Sequence, residues 1–200
     1  MELHFGFIFL EYLLLLICLV SVILACFYFC SILYIYITTK GGPSAPYIPL
    51  TDDAIAGLVT LLQVKDHHII YDLGCGDARV IRALSRVHKS GHYKGIERNL
   101  FVCLLARFLT LLFSLRNPDR DVQIIYGDIF KQDLRDATHI ITYLFPEVMN
   151  ALLPKLKKEL KQGVLLYSVD FMFEGKSPKE VIAVSSLKWK LGQTIYVYEF

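Results

Sequence analysis

A chain of 200 residues leaves room for one ordinary domain and an appendage, and a 54% apolar composition is richer than a wholly soluble enzyme of this size needs. The formal net charge of +2 is far from the strongly basic class, so no nucleic-acid partner is expected. The cysteines at positions 18, 26, 30, 75 and 103 show neither CxxC nor Cys/His ligand spacing, which points to no disulfide framework and no metal.

Residues 7–37 are an almost unbroken apolar run with Glu11 as its only charge, longer than the roughly 20 residues that span a bilayer. We read residues 1–40 as an anchor with one transmembrane helix. The competing reading is a cleaved signal peptide. Against it stand Glu2, the lack of Lys or Arg ahead of the run, and a run far longer than the roughly 7–15 residues of a signal core. Lys40, just after the span, is the first positive charge, so the amino end is expected outside and the remainder in the cytoplasm. Glu11 lies near the outer edge, where it can reach water.

Residues 41–50 form a linker, rich in Gly and Pro, ahead of a domain at 51–200. Thr51 is placed to cap a helix with Asp52 and Asp53 in its first turn and Ala54, Leu58, Leu61 and Leu62 on its apolar face. If that helix packs beside the first strand, Tyr47 and Thr51 come close to the glycine turn described below.

From there the periods alternate. Strands are expected at 67–73, 93–97, 122–126, 139–144 and 164–169, with helices at 78–87, 101–115 and 146–161 between them. Two β-rich runs at 181–189 and 194–200 are too close for a crossover helix and suit an antiparallel hairpin. The pattern predicts an α/β fold: a Rossmann-like, doubly wound, mostly parallel seven-stranded sheet with a C-terminal antiparallel hairpin. The helix at 101–115 is unusually apolar, with Arg107 its only interior charge. Burial on the sheet is the default expectation and partial dipping into the bilayer the alternative. His67 and His68 are read as surface or edge residues, and the lysines of 155–161 as a solvated helix face that an anionic leaflet would attract.

In such sheets ligands bind beyond the carboxyl ends of the strands. Three features lie there. The first is the turn Asp72-Leu73-Gly74-Cys75-Gly76-Asp77, where Gly74 and Gly76 let the backbone turn sharply and approach a ligand, and where Cys75 is a small filler. The second is Glu97, whose carboxylate can accept hydrogen bonds from both hydroxyls of a ribose. In the third, Gly127-Asp128-Ile129-Phe130, a carboxylate beside an apolar pair could hold an adenine; the plainer role for Asp128 is a turn cap. A nucleoside satisfies all three.

Asp-x-Gly-x-Gly after strand one, an acidic residue closing strand two, Gly-Asp after strand three and a terminal hairpin resemble the class I S-adenosylmethionine-dependent methyltransferases, across residues 48–200. Ala78 stands where that class often has a third glycine. Dinucleotide dehydrogenases prefer a glycine where Arg79 stands and a parallel sixth strand, so Arg79, the hairpin and Asp72 weigh against NAD. A narrower likeness is to the membrane-anchored lysine methyltransferases of the ATP synthase c-subunit and the adenine nucleotide translocase. It is carried by Pro46-Tyr47-Ile48-Pro49, the stretch from Asp72 to Arg79, Gly95-Ile96-Glu97-Arg98-Asn99 and Pro146-Glu147-Val148-Met149. The segment Thr142-Tyr143-Leu144-Phe145 departs from that family at the end of strand four, as do the residues after Asp77 and Asn99.

The resemblance implies S-adenosylmethionine as cofactor, with Asp72, Gly74, Cys75, Gly76 and Asp77 shaping the methionine half and Asp77 near its ammonium. It also implies Glu97 on the ribose and Asp128 with Ile129 at the adenine. Tyr143, which otherwise reads as a half-buried strand aromatic, would then face the acceptor as the catalytic candidate. The expected activity is methylation of a lysine on a membrane-proximal protein, with a bilayer and a membrane protein as partners and a mitochondrial membrane as an alternative home. A lipid or small apolar acceptor, and a membrane-tethered scaffold without chemistry, are the alternatives.

Overall fold

A helix whose side chains are apolar all the way round has no polar face to offer water and no stripe to direct onto a core. In the computed structural model, which describes residues 2–39, 48–184 and 191–200, that is the character of α1 (Glu2–Thr39). Its 23-residue stretch Leu10–Ile32 is long and apolar enough to cross a bilayer, and none of it is buried within the protein. Two serines inside this stretch are turned back onto the helix: Ser21 Oγ donates to the Cys18 carbonyl and Ser31 Oγ to the Phe27 carbonyl, each at 2.8 Å. The chain divides into two compact units, Met1–Ser44 and Ala45–Phe200. Lys40, Tyr47 and most of the expected linker lie outside the described residues.

The second unit is built on seven strands, β1 (Ile69–Leu73), β2 (His92–Glu97), β3 (Asp121–Tyr126), β4 (His139–Thr142), β5 (Leu165–Val169), β6 (Glu180–Ala183) and β7 (Thr194–Glu199). They lie in the order β3-β2-β1-β4-β5-β7-β6. All pairs from β3 to β5 are parallel, and β7 is antiparallel to both β5 and β6. The hairpin therefore inserts its second arm between β5 and its first arm. This is the expected mostly parallel sheet with one reversed strand near an edge. Four helices accompany it: α2 (Asp52–Leu61), α3 (Arg79–Val87), α4 (Leu100–Arg116) and α5 (Pro146–Glu159).

Period-two alternation divides the core between the two faces of the sheet. Ile70, Tyr93, Ile141 and Ile195 pack with Leu58, Leu62, Ile81 and Leu84 on one face. Leu73, Ile96, Ile140, Leu166 and Tyr198 pack with Met149, Leu152 and Leu156 on the other. Thr51 caps α2 as its type predicts, its Oγ1 accepting from the Ala54 amide at 3.4 Å. The helix lies against α3 and β7, and Thr51 sits beside Gly192.

Boundaries differ from expectation where a local partner intervenes. β1 starts at Ile69, because His68 Nδ1 accepts the Lys65 amide at 3.2 Å and its ring lies 4.6 Å from that of His139. β4 ends at Thr142, since Phe145 and Pro146 already begin α5 and leave Tyr143 and Leu144 as a loop. Of the run expected at 181–189, residues 185–189 lie outside the described ones. The larger correction concerns α4. Only Cys103, Ala106, Thr110 and Phe113 are buried, while most of its leucines and phenylalanines face outward. The default expectation of burial on the sheet holds for one face alone.

Gly95 shows how tightly β2 fits the turn that leads into α3. A Cβ built there would lie 2.7 Å from Cys75 Sγ and 2.9 Å from Ile81 Cδ1, both in the buried layer. Gly95→Ala is expected to cost about 1–3 kcal/mol by overpacking, read as a lowered denaturation midpoint. Adding Cys75→Ala should recover part of the loss by removing the nearest atom.

Candidate active site

After β1 the chain must reverse into α3 within a few residues, and it does so by entering left-handed backbone repeatedly. Gly74 has φ +79°, Gly76 +56° and Ala78 +62°. A methyl at Gly74 would also lie 2.9 Å from Leu144 Cδ2. Ala78 adopts at its own cost a conformation that glycine takes freely, on the order of 1 kcal/mol, so the position held by the class's third glycine keeps the glycine geometry here.

The turn is held from the neighbouring strand. The amides of Gly74 and Cys75 both donate to the Ile96 carbonyl, at 2.9 and 3.0 Å. The Gly76 amide donates to Glu97 Oε2 at 3.0 Å, and the Asn99 amide to Oε1 at 2.7 Å. The Gly127 amide then donates to the Glu97 carbonyl at 3.0 Å, tying the loop after β3 to the same residue. Asn99 Oδ1 goes on to cap α4 by accepting from Phe101 and Val102. Three strand ends are thus stitched together through Glu97. Burial pushes its carboxyl pKa up, and the backbone amides oppose that shift.

Beside the turn lies a pocket. Its lining comes from Asp72, Gly74, Cys75, Asp77, Arg79 and Val80, from Ile141 and Tyr143 at the end of β4, and from Ile48, Pro49 and Leu50 ahead of α2. Asp72 is buried, and its Oδ2 has no hydrogen-bond partner among the described residues. Burial first, then the charges of Glu97 and Asp77, push its carboxyl up to about 7. Asp77 stands differently. Burial pushes it up, but bidentate pairing with Arg79, with Nη2 to Oδ2 at 3.0 Å, outweighs that and holds it below the usual carboxylate range. The orphaned acceptor in the pocket is therefore Asp72, while the charge of Asp77 is already matched.

An unpaired buried carboxylate, a sharp glycine turn and a second carboxylate at the adjoining strand end fit a cationic nucleoside carrying an ammonium. The family model that matches is that of the ANTKMT methyltransferase domain, over residues 72–180. The chain belongs to that family. It is similar to a protein-lysine N-methyltransferase of Saccharolobus islandicus, 30% identical over 161 residues that cover 78% of this chain and 94% of that protein. It is also similar to the lysine N-methyltransferase of the ATP synthase c-subunit from Homo sapiens, 22% identical over 68% of this chain and 56% of that enzyme, so it spans little more than half of the human protein. Among solved structures it resembles an RNA methyltransferase from Salinibacter ruber in complex with S-adenosyl-L-homocysteine. The identity there is 26% and the TM-score 0.67, over 76% of this chain and 93% of that one.

The methyltransferase is dependent on S-adenosylmethionine, which when bound supplies a methyl group on an activated sulfonium. Asp72, with its unpaired oxygen, could hold its ammonium, and Glu97 would be placed to take its ribose. Gly76 reaches Glu97 through its amide, and Asp128 lies one loop further on, with Oδ1 already accepting the Phe130 amide at 3.0 Å in the capping role. Ile129 is buried in the core layer with Leu73 and Ile96. The contributions of Ile48–Leu50 and Ile141 to the pocket were not evident from spacing, although Ile48 and Pro49 belong to the Pro-Tyr-Ile-Pro motif. Asp170 was also missed. It has φ +62°, and its carboxylate takes the amides of Gly192, Gln193 and Thr194, anchoring the start of β7 at the end of β5.

A carboxylate with its pKa near 7 binds a cation only in its ionised form. Cofactor affinity, measured by calorimetry, should therefore rise as pH approaches and passes about 7, and Asp72→Asn should lower it and flatten that rise. Stability without cofactor should move oppositely. The folded protein holds this proton more tightly than the unfolded chain, so the contribution is lost as pH rises from near 3.8 towards 7.

Proposed function

We propose that the protein is a membrane-anchored protein-lysine N-methyltransferase whose acceptor lies on a membrane-proximal protein. The observation that carries this is the pocket wall on which half-buried Tyr143 stands across from the Asp72 turn, in a chain that also carries the apolar α1. The related proteins named above are lysine methyltransferases, one of them named for the ATP synthase c-subunit, which supports a lysine on a membrane-proximal partner. Residues 1–40 would span the bilayer, and 51–200 would work at the cytoplasmic face. By resemblance to the animal enzymes, a mitochondrial membrane is the alternative home.

Transfer of the methyl from the sulfonium to a neutral amine would be an in-line displacement, the N–C bond forming as the S–C bond breaks and a thioether leaves, so alignment of the acceptor matters most and no enzyme nucleophile is needed. A lysine must first lose its proton, which a desolvated site favours by lowering the amine's pKa. Burial, and then the charge of Asp170, push the Tyr143 hydroxyl up. It therefore stays protonated and serves by orienting the neutral amine rather than by removing its proton. For the cofactor, Asp72 and Gly74 would line the pocket and Gly76 and Glu97 adjoin it, with Cys75 as filler, Asp77 as partner of Arg79, and Asp128 at the adenine end, ahead of Ile129 in the core.

A second reading has its own support. The ring of Phe171 lies 5.9 Å from Tyr143 and 5.5 Å from Phe145, an aromatic group that suits a lipid or small apolar acceptor. Incubating membranes with the protein and methyl-labelled cofactor separates the two. Label on protein lysines is expected; label extracted with lipid would favour the second reading, and no transfer despite cofactor binding would favour a scaffold. Tyr143→Phe should lower kcat about fivefold to tenfold, the loss of one hydrogen bond worth about 1 kcal/mol, with cofactor affinity unchanged.

A further inference from the structure

Helix α4 carries more apolar surface outward than inward. At about 3.6 residues per turn, Leu104, Leu105, Phe108, Leu111, Leu112 and Leu115 share one side of it, opposite the four buried residues. All six are exposed, Phe108 by 57% and Leu115 by 73%. A continuous stripe of this kind is far from the scattered single apolar residues of an ordinary surface. The same spacing puts Arg107 on one border of the stripe and Arg116 on the other, both exposed, and the helix contains no carboxylate. Arg107 is rooted by its Nε, which donates to the Ile124 carbonyl at 3.2 Å.

We propose that this face of α4 lies in the interface of an anionic lipid bilayer, as a second membrane contact separate from the spanning segment. Apolar residues on one side with guanidiniums along both borders are the pattern of a helix lying in the plane of the headgroups, its apolar face about 5–10 Å deep. Arginines at the borders can bury their stems and meet lipid phosphates bidentately. Of the nearest following carboxylates, Asp119 is paired with Arg120, and Asp121 contacts the His92 ring. A second copy of the chain fits the face less well. A two-fold contact would set Arg107 and Arg116 against their own copies with no acidic residue on the helix to pair them. On the membrane anchoring proposed above, the helix at 10–32, long and apolar enough to cross a bilayer, would also keep the domain beside one.

The placement has a consequence for the site. α4 begins one residue after Asn99, whose amide donates to Glu97 and whose side chain caps the helix. Seating α4 in the headgroups therefore brings the Glu97 end of the sheet, and with it the cofactor pocket, to the membrane surface.

The test uses the full chain in phosphatidylcholine–phosphatidylglycerol vesicles, with and without brominated acyl chains. The chain has a single tryptophan. Trp189→Phe combined with Phe108→Trp moves the only indole onto the stripe, and Trp189→Phe combined with Val181→Trp moves it to an exposed control position on β6. Brominated lipid is expected to cause a loss of fluorescence at position 108 and none at 181. Adding Leu104→Glu and Leu111→Glu should restore the signal at 108 while cofactor binding is retained. Equal quenching at both positions, or none at 108, overturns the proposal. So does shielding of position 108 from aqueous acrylamide without quenching by bromine, which would mean that protein covers the face. None of these readouts depends on which acceptor is methylated.

Discussion

Glu97 ties together three pieces of backbone that follow the ends of three adjacent parallel strands. Its two oxygens take the amides of Gly76 and Asn99, and its carbonyl takes that of Gly127. One residue thereby fixes the glycine turn, the start of α4 and the loop after β3. Each oxygen keeps acceptor capacity beyond these bonds, so the same group can organise the turn and meet a ribose. The arrangement depends on parallel strands, because only then do the ends of β1, β2 and β3 meet at one edge.

Two carboxylates a few residues apart have been given different work by their surroundings. Asp77 faces Arg79 and is charged and satisfied, whereas Asp72 is buried with an unpaired oxygen. A uniformly negative pocket would have held a cation more strongly, but at the cost of repulsion within the folded protein. Pairing one and leaving the other to the ligand confines the mismatch to a single atom.

Much of this could be read from the amino acids. The alternation from Ile69 to Val169 carries the parallel sheet because strand and helix periods differ, and the short interval before Thr194 carries the hairpin because no crossover fits. Asp72, Gly74, Gly76 and Glu97 stand out because their types and spacing are required by a sharp βα turn and a strand-end acceptor. Other features depend on partners that no local pattern encodes. Arg79 cancels Asp77 through a rotamer, and Ile129 enters the core because its loop folds back over Leu73 and Ile96. The outward stripe of α4 was hidden for a related reason. Leu and Phe mark a helix as apolar, but only the packing of Cys103, Ala106, Thr110 and Phe113 determines which side of it the sheet covers.

Cys75 sits within this pocket, a soft nucleophile beside a site built for an electrophilic methyl donor. Its thiol is buried, and burial, with the charges of Asp72 and Glu97 acting in the same direction, pushes its pKa up. The thiolate is the reactive form, and burial first, then the charges of Asp72 and Glu97, disfavours it here. The charges that favour a cation at the turn thus also help to keep Cys75 in its thiol form beside it.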